Sequence, residues 1–378
     1  MSHSSRGARI NLSRSTVFGT AGLLRSTTVS AGRVLCGFQD VMTDSSFHFS
    51  HTYDLDHTAI LARGREVIRQ EAKALSALEL VLGESFIAAC TLIAGSRRRV
   101  VVSGMGKSGH IGRKISATLS ATGTPSVFLH PAEAAHGDLG MVMRGDVLLA
   151  ISNSGNTREL RPVLEHAASM GVKIIGIVTV VQSMLGEKAD VVLALPALAE
   201  ACEGSMAPTT STTLQLALGD ALALTVMDAR GVSRSRIRAL HPGGAIGLRL
   251  TPVAELMHGP GALPLVGKDM AMGEVISVIT RGRFGMAGVV DGKGDLVGII
   301  TDGDLRRHFA VLATAVAGEV MTRSPRSIPS DMLAGNVLQF LNDTKITAAF
   351  VINRADPSRA NRPVGVIHIH DLLQMGLN

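Results

Sequence analysis

The sequence predicts an α/β protein: a doubly wound parallel five-stranded sheet flanked by helices, followed by a smaller α+β module built by tandem duplication. Three observations carry this prediction. Five short apolar runs alternate with helical or glycine-bearing segments between residues 100 and 195, as expected of parallel strands covered on both faces. Past Leu250 an internal repeat appears: Glu255-Leu-Met257 returns as Glu319-Val-Met321, and Gly298-Ile-Ile-Thr-Asp-Gly-Asp304-Leu returns as Gly365-Val-Ile-His-Ile-His-Asp371-Leu. Finally, Val147–Thr157 passes from an apolar run into a small, hydroxyl-rich loop with one glycine, and a helical period follows from Arg158.

Taken in order, residues 1–45 are rich in Ser, Thr and Arg and nearly free of acid. That composition is shared by organellar transit peptides and by sequence translated from too early a start. The second reading is preferred, with Met42 as the expected start and 1–45 as a disordered or mis-assigned extension. Helical patterns cover Asp56 to about Ala94, and they lack the glycine-containing turn of a helix-turn-helix reader. The strands are expected at Val100–Ser103, Ser126–Leu129, Val147–Ile151, Ile174–Val178 and Val191–Leu195. A long helix from Thr210 to Arg230 should stop at Gly231. The sheet domain is assigned to 46–250 and the repeats to 251–312 and 316–378, each running helix, strand pair, helix.

Composition narrows the function. A chain of 378 residues that is 46% hydrophobic can bury two or three cores. With 3% aromatics, no Trp and a single Tyr (Tyr53), it lacks the stacking residues of a nucleic-acid binder. The net charge of +6 is misleading, since four of those charges lie before Met42 and the body is nearly neutral. Cys36, Cys90 and Cys202 are too scattered for a disulfide framework, which favours a reducing, cytoplasmic setting. No run is long enough to span a bilayer, so no membrane partner is expected.

The loop after Val147–Ile151 suits an anion, because a helix N-terminus offers unpaired N–H groups and Ser152, Ser154 and Thr157 add neutral hydroxyls. Such donors fit a phosphate monoester that comes and goes. Gly104-Met-Gly106-Lys-Ser-Gly109 formally satisfies a dinucleotide fingerprint, yet His130 stands where the ribose-binding acid belongs. A P-loop fails too, since Val101 occupies its first glycine position. The favoured reading puts Lys107 and Ser108 at a second helix N-terminus facing the Ser152 loop, where a lysine can hold phosphate or developing enediolate oxygen. Glu159, Glu200 and His241 are candidates for proton chemistry; as bland alternatives they complement a helix dipole, sit solvated in a loop, and occupy a turn before Pro242-Gly-Gly244. His130 and His136 are too few for a firm metal site, and hydrogen bonding to sugar hydroxyls suits them better.

Together these stretches resemble the arabinose-5-phosphate isomerases, in which a sugar isomerase (SIS) domain precedes paired CBS domains. The likeness runs from about residue 50 to the C-terminus. It rests on Gly-Met-Gly-Lys-Ser-Gly-His-Ile-Gly-Arg-Lys, His-Pro-Ala-Glu-Ala-Ala-His-Gly-Asp-Leu-Gly-Met, Ile-Ser-Asn-Ser-Gly, Ala-Pro-Thr-Thr-Ser-Thr-Thr and His-Pro-Gly-Gly-Ala in family order. The resemblance implies catalytic roles for Lys107, Glu159, Glu200 and His241. It implies substrate contacts at Gly123, Thr124, His130 and His136, at the start of the phosphate-loop helix, and at Pro196, Ala197 and Leu198. The implied reaction converts D-ribulose 5-phosphate to D-arabinose 5-phosphate, feeding Kdo and lipopolysaccharide synthesis. No cofactor is required, although His130 is a position where inhibitory zinc can bind.

The resemblance also makes Thr301 and Asp304 candidates for holding a nucleotide or sugar-nucleotide at the CBS pair, whereas His368 replaces the threonine in the second copy. It implies a homotetramer assembled as a dimer of dimers, with His241 reaching the site of the neighbouring subunit. Two rival readings stand beside it: a non-catalytic SIS sugar-phosphate sensor, and an isomerase of another sugar phosphate, which fold alone does not separate.

Overall fold

The computed structural model describes residues 56–202, 204, 207–355 and 359–377; the 1–45 extension, the start at Met42 and Cys36 lie outside them. Helix α1 (His57–Leu80) opens the described chain, with the Asp56 carboxylate accepting from the Thr58 and Ala59 amides at its first turn. Helix α2 (Glu84–Gly95) follows. Among the described residues no single helix is long and apolar enough to cross a membrane.

Strands β1 (Val100–Gly104), β2 (Ser126–Leu129), β3 (Val147–Ile151), β4 (Lys173–Val178) and β5 (Val191–Ala194) form one sheet in the order β2-β1-β3-β4-β5. Every pairing is parallel. The intervening helices are α3 (Gly106–Ala121), α4 (Pro131–Ala134), α5 (Arg161–Ser169) and α6 (Met184–Lys188). Because strand side chains alternate faces, Val100 and Val102 pack with α2, α3 and the long helix α7 (Thr210–Ala229), while Val101 and Leu148 pack with α4, α5 and α6. The chain moves outward from β1 to β2, then returns across β1 to β3 and continues the other way. That reversal puts the topological switch point, where doubly wound sheets bind ligands, between β1 and β3.

At the opposite edge, where the strands begin, Arg230 closes the domain. Its guanidinium donates to the carbonyls of Ile93 (2.6 Å), Ala94 (3.2 Å) and Ser96 (3.3 Å), and to Thr124 Oγ1 (3.2 Å). One side chain thereby adds donors at the end of α2, where the Ser96 amide also reaches the Ile93 carbonyl (3.2 Å). Gly231 follows with φ +58° and stops α7, as its position predicted. Two short helices, α8 (Arg234–Leu240) and α9 (Ala245–Arg249), lead on to the duplicated module.

The first copy contains β6 (Leu265–Gly267), α10 (Met272–Gly282), β7 (Met286–Val290), β8 (Leu296–Thr301) and α11 (Asp302–Arg307). After α12 (Ala317–Val320) and β9 (Thr322–Arg323), the second copy contains β10 (Ser327–Pro329), α13 (Ala334–Thr344), β11 (Ala348–Ile352), β12 (Pro363–His368) and α14 (Ile369–Gln374). Each copy is thus the expected helix, strand pair and helix, with a short parallel strand added in front. The lead-ins are exchanged: β9 belongs to the second copy yet pairs with β8, and His258 from the first copy's lead-in bridges to Val366 in β12. Met286, Ala348, Phe350 and Val366 form the core between the copies.

Replacing Arg230 with Ala removes four hydrogen bonds at the end of α2 and the Thr124 turn and should cost about 2 kcal/mol. The denaturant midpoint should fall with the m-value unchanged; an unaltered midpoint would show that the clamp contributes nothing.

Candidate active site

The site begins with register. Gly104 pairs with Ile151, so the loops after β1 and β3 leave the sheet side by side and turn to opposite faces. Helix α3 starts close against its own strand, because a Cβ on Gly109 would lie 2.5 Å from the Gly104 carbonyl oxygen. Only glycine permits that approach, which brings the first turn of α3 to the crevice. Lys107 is exposed in this first turn, and Ser108 beside it is half-buried.

The β3 loop is a fixed turn. Ser152 is buried, and its hydroxyl lies 2.7 Å from Thr157 Oγ1. Exposed Ser154 accepts from the Asn156 amide (3.3 Å). Gly155 adopts φ +68°, and a Cβ there would lie 1.9 Å from Ser183 Oγ, so neither conformation nor space admits a side chain. The β4–α6 segment pins the loop from outside: Thr179 donates to Asn153 Oδ1 (2.5 Å) and the Met184 amide to Asn156 Oδ1 (3.0 Å). One expectation changes here. Arg158–Leu160 is a 3₁₀ turn and α5 starts only at Arg161, with Pro162 in its first turn, where proline's fixed φ and missing N–H are best tolerated. Glu159 therefore lies exposed in the turn, ahead of the α-helix.

His130 follows β2 and lines a cavity of about 180 Å³ with Met105, Gly106, Gly109, Arg113 and Phe128. Its Nδ1 is buried without a hydrogen-bond partner among the described residues. His136 is exposed in the turn after α4. Among the described residues no three His, Cys, Asp or Glu are grouped as a metal shell requires. Pro196, Ala197 and Leu198 also lie at the carboxyl edge, but beyond β5, two strands or roughly 10 Å from β3.

Two expected substrate contacts fall elsewhere. Gly123 and Thr124 precede β2 and therefore occupy the edge opposite the crevice; Thr124 is buried under Arg230, and Gly123 packs against Val232. Within one chain they belong to the clamp rather than to the site.

Glu200 is placed at the start of α7. Its Oε2 accepts from the Thr209 amide (2.8 Å), Thr209 Oγ1 (3.2 Å) and the Ser211 amide (3.2 Å). Partial burial pushes this carboxyl up, but the hydrogen bonds from Ser211 and Thr209 outweigh it and hold it below the usual carboxylate range. His241 ends α8, with Nδ1 2.8 Å from the Ile237 carbonyl oxygen. It lines a cavity of about 760 Å³ with Pro242, Gly243, Thr251, Met375 and Gly376. Helix α8 follows directly on the Arg230 edge, and the cavity that His241 lines includes no residue of the Lys107 helix start or the Ser152 loop.

In the duplicated module Thr301 lies on the wall of a cleft of about 650 Å³, while Asp304 is only 2% exposed beneath it. The Asp304 carboxylate is fully engaged by the Thr301 amide and hydroxyl, Arg307 and Thr322. It is therefore a structural anchor in this conformation, not a free ribose acceptor.

Some features of the site carry no sequence signal. Arg113 stacks 4.3 Å over the Phe128 ring beside His130, and Asn153 and Asn156 shape the phosphate loop. A hydroxyl count selects the serines and passes over the amides that hold them.

A switch-point crevice between a lysine-bearing helix start and a hydroxyl loop, joined to a duplicated α+β module, defines the class: residues 92–225 match the SIS domain, and 253–311 and 317–377 match the CBS domain. The chain belongs to the arabinose 5-phosphate isomerase family. It is 40% identical over 334 residues to arabinose 5-phosphate isomerase KdsD of Pseudomonas aeruginosa, covering 87% of this chain and 99% of that one. It is 41% identical over 312 residues to KpsF, another arabinose 5-phosphate isomerase, of Escherichia coli O6:H1, covering 81% and 93%. A solved chain from E. coli CFT073, in complex with arabinose 5-phosphate, is 34% identical over 50% of this chain and 100% of its own, with a TM-score of 0.48.

The Glu200 contacts predict a pH-dependent stability. A carboxyl lowered in the folded state contributes stability above its unfolded value and loses it as pH falls through the folded one. Glu200→Gln should lower the melting temperature by ~2–4 °C at neutral pH, and the difference should shrink as pH falls below the ordinary carboxylate range. A difference that persists in acid would mean the carboxylate charge is not what stabilises α7.

Proposed function

We propose that the switch-point crevice interconverts D-ribulose 5-phosphate and D-arabinose 5-phosphate, moving a proton between C1 and C2 through an enediol(ate) and so supplying arabinose 5-phosphate for Kdo and lipopolysaccharide synthesis. The observation that carries this reading is the placement of the Lys107 helix start beside the Ser152–Thr157 loop, in a chain whose relatives are named for this activity along nearly their whole length. The loop holds the phosphate, Lys107 stabilises the oxygen that gains charge, and His130 meets the sugar hydroxyls.

Of the two carboxylates, Glu159 suits the base. Glu200 already accepts three hydrogen bonds and is held below the usual range, whereas a general base works best with its pKa near the operating pH. Glu200 then serves by fixing the start of α7. The reaction needs no cofactor, and zinc at His130 would inhibit by occupying the cavity.

The enzyme acts in the cytoplasm as a homotetramer of two dimers. Supporting this, α1, α2 and their connection expose Ile68, Leu75, Leu80, Val81, Leu82 and Ile87, an apolar set suited to a second copy. In such a dimer the partner subunit supplies His241 to open the sugar ring, and the position of this residue away from its own crevice favours that arrangement. The first CBS cleft has room for a nucleotide or sugar-nucleotide, provided the Asp304 contacts rearrange.

Incubation with ribulose 5-phosphate in deuterated water should yield C2-deuterated arabinose 5-phosphate by NMR. Glu159→Gln should slow turnover by roughly 10²–10⁴-fold; normal exchange in that variant would remove Glu159 from the mechanism, and no turnover on any pentose 5-phosphate would remove the isomerase reading.

Composite sites have their own signature. Lys107→Ala and His241→Ala are each expected to be inactive. Random reassociation of the two should restore roughly a quarter of wild-type activity, because one site of each hybrid dimer receives neither change. Hybrids that form without recovering activity would show that His241 serves its own chain.

A further inference from the structure

Helix α1 turns a stripe toward the sheet domain, on which Ala74 and Leu78 are buried. One turn ahead of them on the same stripe stands Gln70, half-buried. A hydrocarbon is the ordinary occupant of such a position, and a carboxamide there destabilises the fold unless its polar atoms find partners. Gln70 finds them far along the chain. Its Nε2 donates to the carbonyls of Ala199 (2.9 Å) and Glu200 (3.1 Å), across 129 and 130 residues of sequence, so one carboxamide commits both of its hydrogens to one loop.

The loop it grips is the connection from β5 to α7. Leu195 is still tied to β4, its amide donating to the Val178 carbonyl (2.8 Å), and α7 begins at Thr210. Between them the Glu200 carboxylate accepts from the Thr209 and Ser211 amides, while the Ala201 amide donates back to Thr209 Oγ1 (3.0 Å). Glu200 is thus held twice, its carbonyl by α1 and its carboxylate by α7. Helix α7 in turn lies along α3: Lys114 pairs with Asp220, and Gly219 has space only for a hydrogen against Ile115. Both helices run from the carboxyl edge of the sheet. About two turns back along each, Ser211 in the first turn of α7 comes level with Lys107 in the first turn of α3.

We propose that Gln70 is a positioning residue for the crevice: it fixes the Glu200 segment to α1 and thereby sets where α7 begins beside the Lys107 helix start. The proposal rests on the isomerase reading of that crevice. Gln70 acts through Glu200 and not on the substrate, because both of its amide hydrogens are taken by the Ala199 and Glu200 carbonyls. A residue of this kind contributes to rate through geometry, since a displacement of about an ångström at a working group slows a reaction severely. The phosphate loop after β3 is built from other contacts, those of Thr179 and Met184 with Asn153 and Asn156. Loss of Gln70 therefore belongs in kcat and leaves the ground-state anchor in place.

Gln70→Leu in the full chain keeps the bulk of the side chain and removes both donors. Its kcat on ribulose 5-phosphate should fall roughly tenfold with KM within about twofold of wild type. Hydrogen exchange of the same variant reads the cap directly: the Thr209 and Ser211 amides should exchange roughly tenfold faster. In a Glu200→Gln background the Gln70 substitution should lower kcat by less than about twofold more, because the two residues act as one unit. With an active wild type, a Gln70→Leu kcat within about twofold of it, unchanged exchange at those two amides, or full additivity with Glu200→Gln overturns the role of Gln70. A wild-type chain that turns over no pentose 5-phosphate overturns the isomerase reading and the kinetic role with it, while the exchange rates still decide whether Gln70 holds the Glu200 cap. Gln70→Ala removes the same donors without setting a branched hydrocarbon against the loop, and it takes the place of the leucine variant, with the same deciding outcomes, should that one not fold.

Discussion

The approach of α3 to the end of β1 is the constraint on which the isomerase domain depends. A parallel sheet delivers its loops to one edge in any case, but only a glycine at 109 lets the helix start within van der Waals reach of Gly104. With Gly104 fixed against Ile151, the helix start that carries Lys107 and the loop that carries the hydroxyls leave the same edge of the sheet from neighbouring strands. Under the proposed function, such preorganisation would let a single exposed ammonium group and neutral hydroxyls act on an ionic intermediate, because no reorganisation is required at the moment charge develops.

The same economy separates the two glutamates. An unligated carboxylate at a surface turn can take a proton from carbon and return it, whereas one that already accepts from Thr209 and Ser211 must surrender those bonds as it becomes protonated. Glu200 is thus valuable where it is: it satisfies amides at the start of α7, the helix whose other end carries the Arg230 clamp. The two ends of α7 define the two edges of the sheet, one for chemistry and one for closure.

This division explains what the sequence could and could not reveal. The five strands, the long helix with its glycine stop and the duplication were legible, because each is written in local periodicity or self-similarity. So was the pairing of the Lys107 and Ser152 loops, since strand-to-loop transitions in a parallel sheet share an edge. Within one chain Gly123 and Thr124 stand at the edge away from the Lys107 helix start, a placement a motif match does not carry because it says nothing about which end of a strand a residue adjoins. Glu159 shifted from helix to 3₁₀ turn because Pro162 decides where α5 begins. The Glu200 cap was hidden in a segment whose glycine and proline content suggested a solvated loop.

His241 joins the two halves of the molecule. Its element is anchored on the CBS side by the bidentate ion pair of Arg238 with Glu255 and by the Ala334 amide donating to the Thr251 carbonyl (2.8 Å). Close packing continues at α9, where a Cβ on Gly247 would lie 1.9 Å from the His241 carbonyl oxygen. Between these fixed points Gly243 and Gly244 have open space around them, so the turn after the histidine is held at its ends and permissive in its middle. A side chain carried this way is placed by the packing of the CBS pair as much as by the sheet domain it follows. The duplicated module is therefore part of what determines where the histidine points.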